Sequence, residues 1–438
     1  MPTAIVAGGG LAGMSAAIAL ADAGFDVTLF EARAFLGGRA TSFPVTPTDA
    51  NSEIIDNCQH VLLACFTNLL DFYERLGVGN RIEFHSEFYF VEPGGRVSSL
   101  RSGALPAPLH SLGSFLRLPF LGARDKLGIV RAMAALASER KTRTDLDRIT
   151  MLDWLREKKQ TGPAIERFWR QVLVSAVNEE LDRMAARHGF QVFWLGFMQS
   201  AKKSRMGLAA VPLSELYGSE AWEKIPNVTI RFRTPIERFA IENGSVTAAL
   251  SNAEAHTADY YVSAVPFEKI GGIAPALGLD LSAFEHSPIT GIHLWFDRPV
   301  TGLPQATLLD RTTQWMFNKR EGAYLQLVVS ASRSLLEMPR KEVIDLAVRE
   351  LAEFFPEAKT ARLEKAHVIK EARATFSAVP GVDALRPEAR TKIPNLFLAG
   401  DWTRTGWPAT MEGAVRSGYL AAEAIAAASG KPRSFVIG

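Results

Sequence analysis

The chain opens on an apolar run, Ala4-Ile5-Val6-Ala7, cut off by glycine, which reads as a short buried strand. Leu11 to Ala23 then carries a helical apolar pattern rich in alanine, and Phe25 to Arg33 (FDVTLFEAR) alternates as a second strand. Together they predict one βαβ unit. In IIDNCQHVLLACFTNLLDFYERLG a polar knot, Asp56-Asn57-Cys58-Gln59-His60, lies between an apolar strand-like pair and an amphipathic helix. Phe84 to Gly95 is strand-like, with EPGGR as a hairpin turn. Leu109 to Lys141 packs leucine and phenylalanine around Arg117, Arg124, Lys126 and Arg131, and the residues from Thr150 to about Lys203 read as helices. Thr150 is placed as an N-cap, with Asp153 in the capping-box position.

From Val228 the pattern is a strand, a break at Pro235 and a hairpin through Asn243-Gly244, then a strand ending at Pro266. Strands return between about Gly291 and Ser330, followed by a helix from about Arg340 to Phe355. The C-terminal piece predicts a strand at Leu396 to Ala399, an acid after Gly400, and a small-residue helix beginning near Thr410. Elements of one α/β layer therefore bracket a long insertion.

Length and charge narrow the class. At 438 residues the chain exceeds one ordinary core, and about two or three domains are expected. A net charge of +2 gives no global reason to expect nucleic acid as a partner. The two cysteines, Cys58 and Cys65, form neither a disulfide framework nor a CxxC metal or redox motif, so no metal is expected and a reducing cytoplasm suits the chain. The first cation is Arg33, so a secretory n-region is lacking, and no apolar run is long enough to predict a membrane-spanning helix. The basic, apolar stretch from Leu109 to Lys141 fits either a lipid interface or a buried helical layer.

Chemistry enters at the first turn. Gly8, Gly10 and Gly13 match GxGxxG between strand and helix: Gly8 permits the turn, Gly10 admits a pyrophosphate, and Gly13 lets helix and strand pack. The helix N-terminus then faces the phosphates. Glu31 lies 23 positions beyond Gly8, where an acid takes the ribose hydroxyls of a dinucleotide. NAD and FAD remain undivided on these residues. Gly37-Gly38-Arg39 adds a second flexible turn with a guanidinium that can pair with phosphate.

These motifs, with Pro235-Ile236, Ala264-Val265-Pro266 and Gly400-Asp401, resemble the flavin amine oxidase and phytoene desaturase superfamily over nearly the whole chain. The resemblance implies an α/β fold: a Rossmann-like FAD-binding domain of the glutathione-reductase and amine-oxidase type, with an inserted α+β substrate domain. The expected division is FAD-binding at 1–85, 206–272 and 389–438, and substrate-binding at 86–205 and 273–388. It implies noncovalent FAD on Gly8, Gly10, Leu11, Ala12 and Gly13, with Glu31, Ala32 and Arg33 at the ribose. Gly38, Arg39, Ala40 and Asn57 would lie at the phosphate or flavin, and Ile236 at the adenine. Gly400 and Asp401 would approach pyrophosphate and ribitol, while Thr410, Met411, Glu412 and Ala414 would open a helix toward flavin N1, where reduced flavin is anionic.

Within that superfamily, DNCQHVLLACFTNLLDFYERLG, FWRQVLVSAVNEE, GLAAVPLSELYG and GDWTRTGWPATMEGAVRSGYLAA resemble the hydroxysqualene dehydroxylases, the squalene-associated FAD-dependent desaturases. Cys58 stands where that family usually has glycine. The implied reaction replaces an allylic hydroxyl of 12-hydroxysqualene with hydride from reduced FAD, giving squalene in squalene and hopanoid biosynthesis. The resemblance implies His60 as the acid, Asp56 orienting it and Gln59 holding the hydroxyl. The expected partners are a long-chain isoprenoid and an external electron donor, with NAD(P)H one option, and peripheral contact with the inner face of a membrane. A phytoene-type desaturase and a noncovalent amine oxidase are the rival readings.

Overall fold

A computed structural model of the chain describes residues 1–46 and 52–438. Strand β1 (Thr3–Ala7) buries Ala4, Ile5, Val6 and Ala7, as a strand covered on both faces must. Helix α1 (Leu11–Asp22) is buried from Leu11 through Leu20 because the sheet covers one side and the C-terminal helix Met411–Ala428 the other. Those two helices meet so closely that a Cβ on Gly418 would fall 2.2 Å from the Ala12 carbonyl oxygen. Ser15 Oγ also donates to the Val415 carbonyl across the contact, at 3.1 Å.

β1 pairs in parallel with β2 (Asp26–Phe30) on one side and with Tyr260–Ser263 on the other. The edges of this five-stranded sheet are Val228–Arg231 and Leu396–Leu398, also parallel. Its order draws strands from three distant parts of the chain, which is how the insertion is accommodated. A three-stranded antiparallel sheet, Arg238–Glu242, Ser245–Ser251 and Glu254–His256, stands beside it.

The inserted parts form a seven-stranded sheet, in order Leu363–Phe376, His286–Phe296, Tyr324–Ser330, Trp315–Arg320, Gln305–Leu308, Glu87–Val91 and Val97–Arg101. Its pairs are antiparallel except that between Gln305–Leu308 and Glu87–Val91. The edge strand Leu363–Phe376 is absent from the hydrophobic pattern. Its sequence, LEKAHVIKEARATF, is rich in helix formers, and ten register pairs with His286–Phe296 override that propensity.

Helix α2 (Thr67–Arg75) packs on the last helix, beside the parallel sheet, while α3 (Leu112–Leu116), α4 (Ala123–Glu139) and the segment Met151–Met198 cover the inserted side. The Thr150–Asp153 capping box forms, with Thr150 Oγ1 accepting from Asp153 N at 3.1 Å. Trp154, Trp169, Phe168, Phe190 and Phe193 make edge and stacked contacts in the core of this layer.

Candidate functional site

The glycine turn lies where β1 ends, and its three positions differ physically. Gly8 has φ +110°, and a Cβ there would meet the Ala264 carbonyl oxygen at 2.9 Å. A Cβ on Gly13 would fall 1.8 Å from the Gly8 oxygen, so side chains are forbidden by the fold itself. Gly10 is extended, with φ −78°, and a Cβ would find its nearest neighbour, Gly38 Cα, at 3.8 Å. No contact within the chain requires glycine at position 10. The space there belongs to whatever approaches α1, whose N-terminus carries no side-chain cap and begins with Leu11, Ala12 and Gly13.

Glu31 follows β2 and is buried, with Oε2 accepting from Gly9 N and Oε1 from Arg33 N, both at 2.7 Å. Ala32 lies between these two anchors. The second turn rests on the first: Gly37 N donates to Gly9 O, Ala40 N to Gly37 O, and Arg33 Nη1 to Gly38 O. Arg39 crosses to the C-terminal piece, its Nη2 2.5 Å from Asp401 Oδ1 and its Nη1 3.0 Å from the Ala374 oxygen. Burial works against the Arg39 charge, but Asp401 outweighs it and raises the pKa. Ile236 is buried in the apolar core beside the start of the antiparallel sheet.

The loop after Leu396–Leu398 is anchored by Arg386, a residue the sequence pattern does not single out. Its buried guanidinium donates to the Asp401 and Trp407 carbonyls and to Thr405 Oγ1, and pairs with Asp383. Gly400 N donates to Ser417 Oγ at 2.7 Å. Thr410 is the N-cap of the last helix and accepts from Gly413 N at 3.0 Å, with Ala414 N bonded to the Thr410 oxygen.

The Glu412 side chain has a structural task of its own. It is fully buried and accepts from Asn68 N, Asn68 Nδ2 and Leu69 N at 3.2, 2.7 and 2.8 Å. Phe66, the N-cap of α2, offers no oxygen, and Glu412 supplies the cap from across the fold. Burial raises its pKa. The backbone N–H groups at the start of the last helix, to which the resemblance gives the flavin role, are left unaffected by this bonding.

The polar knot has bonds of its own. Among the described residues Asp56 acts on His60 through its charge rather than a hydrogen bond; its Oδ1 accepts from Ser42 Oγ at 2.7 Å and Leu213 N at 3.0 Å, tying down its own loop. His60 Nδ1 instead lies 2.9 Å from the Cys58 carbonyl oxygen, which accepts only from a protonated ring nitrogen. Burial pulls the His60 pKa down, against the Asp56 charge and the Cys58 and Arg39 backbone carbonyls, which favour the protonated ring.

Gln59 gains a partner that sequence spacing could not reveal. Lys319, on Trp315–Arg320, donates to Gln59 Oε1 at 3.0 Å and stands 3.5 Å from Asp56 Oδ2. Asn57 Nδ2 donates to the Arg39 oxygen at 2.8 Å, linking the knot to the second glycine turn. The strand His286–Phe296 passes so near that a Cβ on Gly291 would lie 3.2 Å from the Asn57 oxygen. Cys58 packs with Met206, Phe317 and Val328 in an apolar cluster, and burial pushes its thiol up to about 12, which makes it inert. No group of three or more metal-ligating side chains occurs among the described residues.

An uncapped helix N-terminus, open space at Gly10, a buried acid after β2 and the Arg39–Asp401 pair form a cradle that fits a phosphate-bearing dinucleotide. The Asn57 link carries that cradle to the polar knot.

Known proteins agree with that geometry. Zeta-carotene desaturase of Synechocystis is 27% identical over 100% of this chain and 99% of its own. The 15-cis-phytoene desaturase of an Oncidium hybrid cultivar is 26% identical over 96% of this chain and 77% of its own. Cyclohexylamine oxidase of Brevibacterium oxydans shares the fold at a TM-score of 0.70 and 17% identity, over 97% of this chain and 99% of that one. Residues 11–426 match the model for flavin containing amine oxidoreductases, a span running from the first helix turn to the end of the last helix. The chain therefore belongs to the flavin containing amine oxidoreductase family and is a flavin-dependent oxidoreductase.

Proposed function

We propose that the enzyme removes an allylic hydroxyl from a long isoprenoid, converting 12-hydroxysqualene to squalene with noncovalently bound FAD. One observation carries this reading: an apolar wall adjoins a very small polar set. Cys58, Phe317 and Val328 pack with Phe88 and Trp315, and Phe88 contacts Phe197, which contacts Phe193 in the helical layer. Beside that wall stand Gln59, Lys319 and Asp56. A hydrocarbon carrying one hydroxyl is the kind of substrate such a surface suits.

The substrate C–O bond breaks, the hydroxyl leaves as water after taking one proton from the Lys319 ammonium, which solvent then reprotonates, and the allylic carbon accepts an electron pair with hydrogen. When bound, reduced FAD supplies that hydride, and an external donor such as NAD(P)H restores it. Gln59 uses its oxygen on Lys319, which leaves its amide N–H groups to donate to the departing hydroxyl. The Lys319 ammonium favours an oxygen leaving group beside it. The apolar wall excludes the water that would recapture the cation.

The carotenoid desaturases among the relatives support a second reading, in which hydride runs from a hydrocarbon to oxidised flavin. Reduced enzyme given 12-hydroxysqualene and oxidised enzyme given phytoene separate the two. Squalene from the first, with no desaturated product from the second, supports dehydroxylation. The reverse result refutes it.

A further inference from the structure

From Arg96 to Ser138 the chain carries six cations, Arg96, Arg101, Arg117, Arg124, Lys126 and Arg131, and a single acid, Asp125. Asp125 is consumed by the fold, capping α4 through Gly122 N at 2.8 Å and accepting from Thr161 Oγ1. Arg96 is paired with Glu92. The other five form no ion pair among the described residues; Lys126 instead donates to the Leu116 carbonyl at 2.8 Å.

Arg101 and Arg117 line a groove of about 440 Å³ with Ser98, Ser99 and Ser114, which continues into a second lined by Arg101, Arg117, Ser114 and His110. Two polar groups along it lack partners. His110 is 3% exposed and its Nδ1 has no hydrogen-bond partner, and Ser98 Oγ is likewise buried and unpaired. Glu87, opposite Arg101 in the strand pair, feels the Arg101 charge but spends its hydrogen bonds on Ser99 and Tyr89. Guanidinium groups outside any ion pair among the described residues, with the unpaired Ser98 hydroxyl and His110 ring, suit the oxygens of a phosphate.

The rim is apolar. Leu105, Leu109 and Leu116 are 51, 49 and 53% exposed, and Leu127 and Val130 on α4 are 50 and 42% exposed. The Lys126–Leu116 bond joins the start of α4, which carries exposed Leu127, to the end of α3, which carries exposed Leu116. Five exposed aliphatic side chains around unpaired cations match an interfacial surface. Among the large exposed hydrophobic residues of this stretch none is aromatic, so it lacks the stacking platforms of a nucleic-acid groove.

We propose that this face docks on an anionic lipid bilayer, with the leucines in the interface and lipid phosphates in the Arg101, Arg117 and His110 groove. Delivery of an apolar substrate from that bilayer rests on the isoprenoid reading; the docking itself does not.

The test is co-sedimentation of flavin-loaded enzyme, without substrate, with vesicles of phosphatidylcholine alone or mixed with phosphatidylglycerol, at low and high salt. The mixed vesicles should bind it, less so as salt rises. Each cation near such a surface contributes about fivefold in affinity, so Arg101→Glu with Arg117→Glu should weaken binding by at least about 25-fold. Leu105→Ser, Leu109→Ser and Leu116→Ser together should weaken it even at low salt. Both variants should keep wild-type flavin content and turnover of detergent-dispersed substrate. Equal binding to neutral and mixed vesicles, wild-type binding by the arginine variant, or no sedimentation at all would overturn the proposal. Inorganic phosphate protecting His110 from modification without any vesicle binding would mark a soluble phosphate ligand, and overturns it too.

Discussion

Two glycines of one turn should respond oppositely to the same methyl group. At Gly13 a Cβ would fall 1.8 Å from the Gly8 oxygen, a backbone atom that can yield only by prying α1 from β1. Gly13→Ala should destabilise the flavin-free protein by about 3 kcal/mol or prevent folding. At Gly10 the nearest atom to a Cβ is 3.8 Å away and φ is −78°, which alanine adopts freely. Gly10→Ala should leave flavin-free stability within about 0.5 kcal/mol of wild type. Its cost appears only with the ligand. If the methyl displaces one charge-assisted contact between backbone N–H and pyrophosphate, about 1.5–3 kcal/mol of binding is lost, or roughly 10- to 150-fold in Kd. Urea unfolding followed by tryptophan fluorescence reads the first quantity, and titration of apoprotein with FAD by flavin fluorescence reads the second. Wild-type FAD affinity in Gly10→Ala would refute the assignment of that space to a pyrophosphate.

Other residues make separate predictions. Glu412→Ala removes three hydrogen bonds and the cap of α2, costing about 3 kcal/mol, and Glu412→Gln should recover part; thermal unfolding checks both, and an unaltered midpoint in the alanine variant contradicts the capping role. Lys319→Met should lower kcat about 100-fold with flavin content unchanged, whereas undiminished turnover would remove Lys319 from the chemistry. His188 and His293 are buried and neutral, with burial pulling each down to about 3, while the unfolded chain titrates near 6.5. Between those values the unfolded state binds more protons, so stability is lost as pH falls below about 6.5, by about 1.4 kcal/mol per pH unit for each ring. Urea midpoints across that range should slope less steeply in His188→Gln, by one proton; an identical slope contradicts the reasoning.

What the sequence exposes depends on whether the signal is local. The βαβ unit, the Thr150 capping box and the Asn243-Gly244 hairpin rest on neighbours within a few positions, and each forms at its expected place. The strand Leu363–Phe376 has no such signal, because pairing with His286–Phe296 decides its conformation. The same division runs through the site. Glu31 and the glycines are readable from spacing, but Lys319 is 260 positions from Gln59, and only the seven-stranded sheet brings them together. The bonds of Arg386 and of the Glu412 side chain are illegible for a related reason: their partners, Asp401 and Asn68, lie on other segments. His60 stands where residue type suggested an acid, and its Nδ1 contact with the Cys58 carbonyl at 2.9 Å is a detail that spacing does not reveal.

The most direct test of the account is a single anaerobic turnover in deuterated water. Enzyme with photoreduced flavin exchanges its N5 hydrogen for deuterium, receives one equivalent of 12-hydroxysqualene, and is followed by flavin absorbance and by mass spectrometry of the extracted lipid. The account predicts one flavin reoxidised per squalene formed, with one deuterium at the carbon that bore the hydroxyl. A flavin that stays reduced in folded, loaded enzyme, or squalene without deuterium, would contradict hydride delivery to an allylic carbon.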